Sequence, residues 1–190
     1  MEKVYDLEIN NKKYKYALLH LPCLNNFLTN YNLKTSIEEI IKEHKSYYDL
    51  KKIILDFKNH QKNNRQTILF ILFNIFHNEV CHIERLVFSN KSNSCYIDFV
   101  HTKKSYQNQG IGYLALYYLI ENTKNKFKIY ELKVRKTNVN AIKLYTKHKI
   151  KIIREIKQEI KQENNDKNKI NKINNINKTI DVLIMVKKIE

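Results

Sequence analysis

Glycine is nearly missing from this chain. Gly110 and Gly112 are the only two among 190 residues, where ordinary usage near 7% would place roughly a dozen. That scarcity excludes the familiar glycine-rich phosphate loops. The dinucleotide fingerprint needs a third glycine, and no G-x-x-x-x-G-K occurs. Cysteine is also sparse: Cys23, Cys81 and Cys95 are widely spaced and form no C-x-x-C pair. Neither a disulfide framework nor a zinc site follows, and a reducing, cytoplasmic setting is expected. The seven histidines show no ligand spacing, so no metal is expected. No Ser/His/Asp or Cys/His arrangement for acyl-enzyme chemistry is visible. Long apolar runs are lacking too. LFILFNIF, residues 69–76, is too short to span a bilayer and reads as a buried strand. The apolar stretches near the start are short and interrupted by Lys, Asp and Asn, so no signal peptide is expected.

What is present is enough for a core. Hydrophobic residues make up 43% and aromatics 11%, and the length suits one domain over 1–190 with an insertion. The formal charge is +16. It suggests an anionic partner, although coding bias toward Lys and Asn would also raise it, so position has to decide between the two. Residues 101–154 hold 13 Lys and Arg against Glu121 and Glu131, a net +11 of that total. Even spreading would not concentrate charge there.

Residues 2–20 read as one or two short strands. Pro22 can open a helix as its first residue, with Leu24, Phe27, Leu28 and Tyr31 on one face. A second helix is expected from Ser36, with Glu39 completing a capping box and Ile37, Ile40 and Ile41 forming its apolar stripe. A polar connection at 58–66 leads to three strands, 67–76, 79–88 and 94–102. Next comes a helix carrying Ile111, Leu114, Ala115, Tyr118 and Leu119 at 3.6-residue spacing. A strand at 128–136, a helix at 138–148, a strand near 149–156 and a last strand at 179–188 complete the order. Between the last two strands, 13 of the 22 residues at 157–178 are Lys or Asn. Such a segment has little to bury and reads as a flexible insertion. Short turns imply antiparallel pairing, and a strand–helix–strand unit implies one parallel pair.

The two glycines sit between a strand and an amphipathic helix. A helix N-terminus offers unpaired N–H groups and partial positive charge, and glycines let the backbone close around an anion. A tight strand-to-helix turn is the plainer alternative. Gln107-Asn108-Gln109-Gly110-Ile111-Gly112 resembles the Q/R-x-x-G-x-G/A signature of the GNAT superfamily, the acetyl-CoA-dependent N-acetyltransferases. LKVRKTNVNAIKLY, 132–145, is similar to the following V-R strand and N-x-x-A-x-x-x-Y helix of the N-terminal protein acetyltransferases, through Asn138, Ala141 and Tyr145. TIDVLIMVKK looks like their last strand, through Asp181, Met185 and Lys187.

The resemblance implies an α/β (α+β) GNAT fold. That fold has a mixed, mostly antiparallel sheet of six to seven strands and about four helices, with the fourth and fifth strands splayed. It implies that main-chain groups of Phe99, Val100, His101 and Thr102 pair with the pantetheine arm of acetyl-CoA. The N–H groups of Gln107, Asn108, Gln109, Gly110, Ile111 and Gly112 would hold its pyrophosphate, and Asn138 and Tyr145 would lie at the cofactor. A free amine attacks the thioester directly in such enzymes. Tyr145 stands where the family keeps the tyrosine that protonates the thiolate. Tyr96 aligns with a strand tyrosine of one subgroup, and Asp98 lies two residues on, on the same face. Either would act through a water, since a carboxylate needs burial to become a good base. Cys95 and His101 fall on the opposite parity or at the strand end, outside the mechanism.

Some positions depart from the family pattern. Lys133 replaces a histidine base, and Lys149 replaces the glycine usual after the Asn/Ala/Tyr helix. The expected acceptor is a protein or peptide N-terminus. A lysine side chain, a small amine, or a degenerate CoA-binding subunit are the alternatives. Contact with a ribosome or auxiliary subunit through basic surface is compatible with the first reading, and no membrane partner is expected.

Overall fold

The computed structural model describes residues 4–43, 65–89, 91–160 and 178–189. They include eight β-strands and four α-helices in a mixed, mostly antiparallel α+β arrangement. The chain falls into two compact units, Met1–Glu131 with Lys188–Glu190, and Leu132–Lys187.

The first unit opens with a hairpin of β1 (Val4–Ile9) and β2 (Lys12–His20), paired from Val4↔Ala17 to Ile9↔Lys12. Its two-residue turn is Asn10-Asn11, with φ of 50° and 62°. Both residues are left-handed, as a type I′ turn requires, and Asn tolerates that region better than other side chains. The same substitution recurs along the chain. Among the described residues, seven non-glycine residues have positive φ, and five are asparagines: Asn10, Asn11, Asn32, Asn78 and Asn108. Asparagine does here the turning that glycine does elsewhere.

Helices α1 (Leu21–Asn30) and α2 (Lys34–Glu43) follow. Pro22 sits in the first turn of α1, where a missing N–H costs nothing. The expected capping box on α2 does not form. The helix starts two residues earlier, at Lys34, and Ser36 is buried with its Oγ accepting the Val80 N–H at 2.7 Å. Glu39 instead meets Lys103 at 2.8 Å. A tertiary partner has taken each side chain that local sequence assigned to a cap.

Strands β3 (Arg65–Asn74), β4 (Glu79–Ser89) and β5 (Ser94–Thr102) complete this sheet in the order β1-β2-β3-β4-β5. Every residue of β3 from Thr67 to Asn74 is buried, because both sheet faces are covered. On one face Ala17, Leu19, Leu69, Ile71, Phe73, Val80 and Ile83 pack with Leu24, Phe27 and Leu28 of α1 and Ile37, Ile40 and Ile41 of α2. On the other, Tyr16 stacks on Phe70 and on Tyr118 of α3 (Ile111–Thr123), with centroids 5.4 and 5.1 Å apart. Burying each such side chain is worth about 1.5–3 kcal/mol.

β6 (Ile129–Arg135) leads into the second unit, where the strand order is β6-β8-β7. There α4 (Val139–Lys147) precedes a hairpin of β7 (Lys151–Ile160) and β8 (Lys178–Lys188). This hairpin corrects the expected insertion at both ends. Its register runs to Ile160↔Lys178, so 157–160 and 178 are strand, and 161–177 lie outside the described residues. The polar connection expected at 58–66 is likewise outside them up to residue 64. The strand count exceeds the expected six to seven because the first strand is a full hairpin.

Candidate active site

The glycine turn begins where β5 ends. A 3₁₀ turn, Lys104–Tyr106, follows the strand and is tied down on three sides. Lys103 bonds Glu39 at 2.8 Å and Glu79 at 2.6 Å, Tyr106 Oη donates to Glu79 at 2.6 Å, and the Lys104 N–H donates to Glu43 at 2.9 Å. Burial pushes the Glu79 carboxyl up, but the bonds from Lys103 and Tyr106 outweigh it and hold the group below its ordinary value. Burial and the Glu79 bond push the Tyr106 phenol far up, so it stays a donor. Lys103, one of the cations expected to draw phosphate, is thus occupied within the fold.

Beyond this strap lie Gln107, Asn108, Gln109, Gly110, Ile111 and Gly112. The Gln107 N–H donates to Lys104 O at 3.2 Å, closing the 3₁₀ turn. Its side chain donates to Thr102 O at 2.9 Å, and the Gln109 side chain to Ser105 O at 2.8 Å. Asn108 is left-handed at φ 60°. Gly110, the N-cap of α3, has φ 80° and ψ −5°, a conformation that suits glycine. A Cβ built on Gly110 would meet no heavy atom within 4 Å, so the space beside it is open. Gly112 differs, because it lies inside the first turn of α3 and is not at positive φ. The conformational demand therefore falls on Gly110 alone. The first helical bond joins Leu114 N–H to Gly110 O at 3.0 Å. The amides of Ile111 and Gly112 precede it, at the positive end of the helix. This is a fit for a pyrophosphate: an open space beside a glycine, at the amide end of a 13-residue helix.

β5 carries a bulge. Arg85 pairs with Asp98 but Ile83 pairs with His101, so β5 has one residue more than β4 across that step. Phe99 stands at φ 53° there. A bulge reverses side-chain parity beyond it. Tyr96 and Asp98 share the α1/α2 face, as expected from spacing. His101, expected on the opposite face, is brought onto theirs, with Nε2 3.8 Å from Glu43 of α2. No residue pattern announced this bulge, since Phe99 is an ordinary strand residue. Thr102 correspondingly turns to the α3 face beside His82. Asp98 does not present a free carboxylate. Arg85 Nε donates to Oδ1 at 2.6 Å and Nη2 to Oδ2 at 2.7 Å, with Arg85 nearly buried.

In the second unit, Asn138 is the N-cap of α4, and its Oδ1 accepts the Ala141 N–H at 3.2 Å. The Asn-x-x-Ala spacing is therefore a cap and its N3 amide. Tyr145, one turn on, is buried at 6% exposure, and its carbonyl accepts the N–H groups of His148 and Ile150. Just past the helix, Lys149 is left-handed at φ 59°, a conformation that glycine takes without a Cβ penalty. Lys133, where a histidine base was absent, is exposed.

Comparisons with known proteins agree with this geometry. The sequence model of the Acetyltransferase (GNAT) family matches residues 36–149. Among curated proteins none matches. A ribosomal-protein-alanine N-acetyltransferase of Brucella melitensis superposes with a TM-score of 0.58 at 15% identity, covering 90% of this chain and 99% of its own. The ribosomal-protein-S18-alanine N-acetyltransferase of Escherichia coli gives 0.54 at 17% identity, covering 99% and 94%. A GNAT family acetyltransferase of Elizabethkingia anophelis with acetyl-CoA bound gives 0.51 at 18%, covering 73% and 83%. No helix among the described residues is long and apolar enough to cross a membrane. With the family match spanning more than half its length and including the glycine turn, the chain belongs to the GNAT family of acetyl-CoA-dependent N-acetyltransferases.

Proposed function

We propose that this enzyme acetylates the α-amino group of a protein N-terminus, and that the Asn108–Gly112 turn holds the pyrophosphate of acetyl-CoA. The observation that carries the cofactor half is the left-handed Gly110, with open space at its missing Cβ, leading directly into the amide end of α3. The preference for an N-terminus draws on the likeness of 132–145 and 179–188 to N-terminal acetyltransferases. Two structurally similar proteins are named for acetylating alanine of ribosomal proteins, which supports the same choice.

Acetyl-CoA supplies an acetyl group already activated as a thioester, so the chain's own residues need only bind, orient and move protons. Main-chain groups of Phe99, Val100, His101 and Thr102 are proposed to align the pantetheine arm. The bulge at Phe99 breaks the β4–β5 ladder in this stretch. Tyr145 is proposed to give a proton to the departing thiolate, and Asn138 to set the start of the helix that carries it. Tyr96 is proposed to take the ammonium proton through a water. We read Asp98 as positioning rather than proton-accepting, since both its oxygens are held by Arg85. The exposed cations Lys133, Arg135, Lys143, Lys147 and Arg154 suit an anionic surface such as a ribosome presenting the acceptor.

Release of CoA thiol, followed with three acceptors, tests this reading. A peptide with a free N-terminus should support turnover, whereas the same peptide blocked there but carrying a free lysine, or a polyamine, should not. Tyr145→Phe should lower kcat by about 10²-fold, the usual scale of a lost general acid. Binding of CoA without turnover on any peptide would mark the chain as a degenerate subunit instead.

A further inference from the structure

Two fully buried titratable side chains that the proposed chemistry leaves unused lie on one strand. His82 and Glu84 stand two residues apart on β4, with side chains 0% exposed. They pair with Leu72 and Phe70, so both point to the α3 face of the sheet. Hydrophobic side chains would fill that space without the cost of desolvating a carboxylate. Among the described residues, Glu84 Oε2 is buried with no hydrogen-bond partner, a further cost that packing alone does not explain.

A chain of hydrogen bonds leads from this pair to the glycine turn. Glu84 Oε1 lies 2.8 Å from His82 Nε2, and His82 Nδ1 lies 2.7 Å from Thr102 Oγ1. The carbonyl of Thr102 accepts the side-chain N–H of Gln107 at 2.9 Å. The ring of His82 bridges the two, since one of its nitrogens meets Glu84 and the other meets the Thr102 hydroxyl. Each group thereby fixes the orientation of the next. Thr102 is where β5 ends, and Gln107 is where the turn begins.

We infer that Glu84 and His82 are positioning residues for the phosphate turn, acting through Thr102 and Gln107 to hold Asn108–Gly112 ready for acetyl-CoA. The inference rests on the proposed role of that turn. It assigns these side chains to cofactor capture and not to proton transfer at the acceptor.

Calorimetric titration with CoA and amide exchange in the ligand-free protein, on four variants, test it. Thr102→Ser keeps the hydroxyl and should bind CoA within about twofold of the parent. Thr102→Val and Glu84→Gln should bind roughly tenfold more weakly, the scale of one lost buried hydrogen bond. Their faster exchange should be confined to residues 103–112, and the KM for the acceptor should not move. Gly112→Val reports on the turn itself. If it weakens CoA binding while Thr102→Val and Glu84→Gln bind like the parent, the positioning role is overturned and the turn's role stands. If Gly112→Val binds CoA normally, the turn's role fails and the inference falls with it. Should Glu84→Gln not fold, the Thr102→Val and Thr102→Ser pair decides alone.

Discussion

Arg85 grips both carboxylate oxygens of Asp98 across β4 and β5, at 2.6 and 2.7 Å, beside the bulge that reverses the parity of β5. The guanidinium is nearly buried, so the pair fixes the strand end from which Phe99 to Thr102 depart. Replacing Asp98 by Asn leaves that guanidinium without its counter-charge. The expected cost is about 2–4 kcal/mol, seen as a Tm lowered by several degrees. At a temperature where the variant is folded, kcat should stay within a few-fold of the parent. A large loss of kcat with an unchanged Tm would make Asp98 the base after all.

Lys149 holds a left-handed backbone at φ 59° just past α4. Lys149→Gly should raise stability by about 0.5–1 kcal/mol, because glycine takes that conformation without a Cβ penalty. For a chain of this size that is roughly 2–3 °C in Tm. Thermal melts of the two proteins check it, and an unchanged or lower Tm would contradict the strain.

Glu79 is held below its ordinary value of 4.5, burial opposing and the bonds from Lys103 and Tyr106 prevailing. A depressed carboxyl contributes stability that is full above its unfolded value and is lost as pH falls through the folded one. Glu79→Gln should therefore be less stable than the parent at neutral pH, with the gap closing below pH 4.5. Denaturant melts across that range test the sign. A gap that widens toward acid would mean that the carboxyl is not held by its cations.

Much of the fold was open to reading from residues alone. The unbroken apolar run of β3 is a strand buried on both faces, and the Ile/Leu/Ala periodicity after Gly110 is α3. The Gln-x-x-Gly-x-Gly pattern marked the turn because it combines a backbone requirement with a helix start. What escaped were features decided by tertiary partners. Ser36 and Glu39 satisfy the spacing of a capping box, yet Val80 and Lys103 claim them. The bulge at Phe99 has no glycine to announce it, so His101 seemed to face away from Asp98. His82 and Glu84 carried no motif of their own, and the register of β4 against β5 brings Thr102 to His82. The five left-handed asparagines were hidden in a chain where asparagine is abundant for any reason.

Amide chemical shifts of the 15N-labelled protein, followed while CoA and then pantetheine are added, test the phosphate turn most directly. The largest shifts on adding CoA should fall at Asn108 to Gly112, and pantetheine, which lacks the pyrophosphate, should leave those amides in place. Saturable CoA binding with the Asn108–Gly112 amides unmoved would put the pyrophosphate elsewhere and contradict the role given to Gly110 and α3.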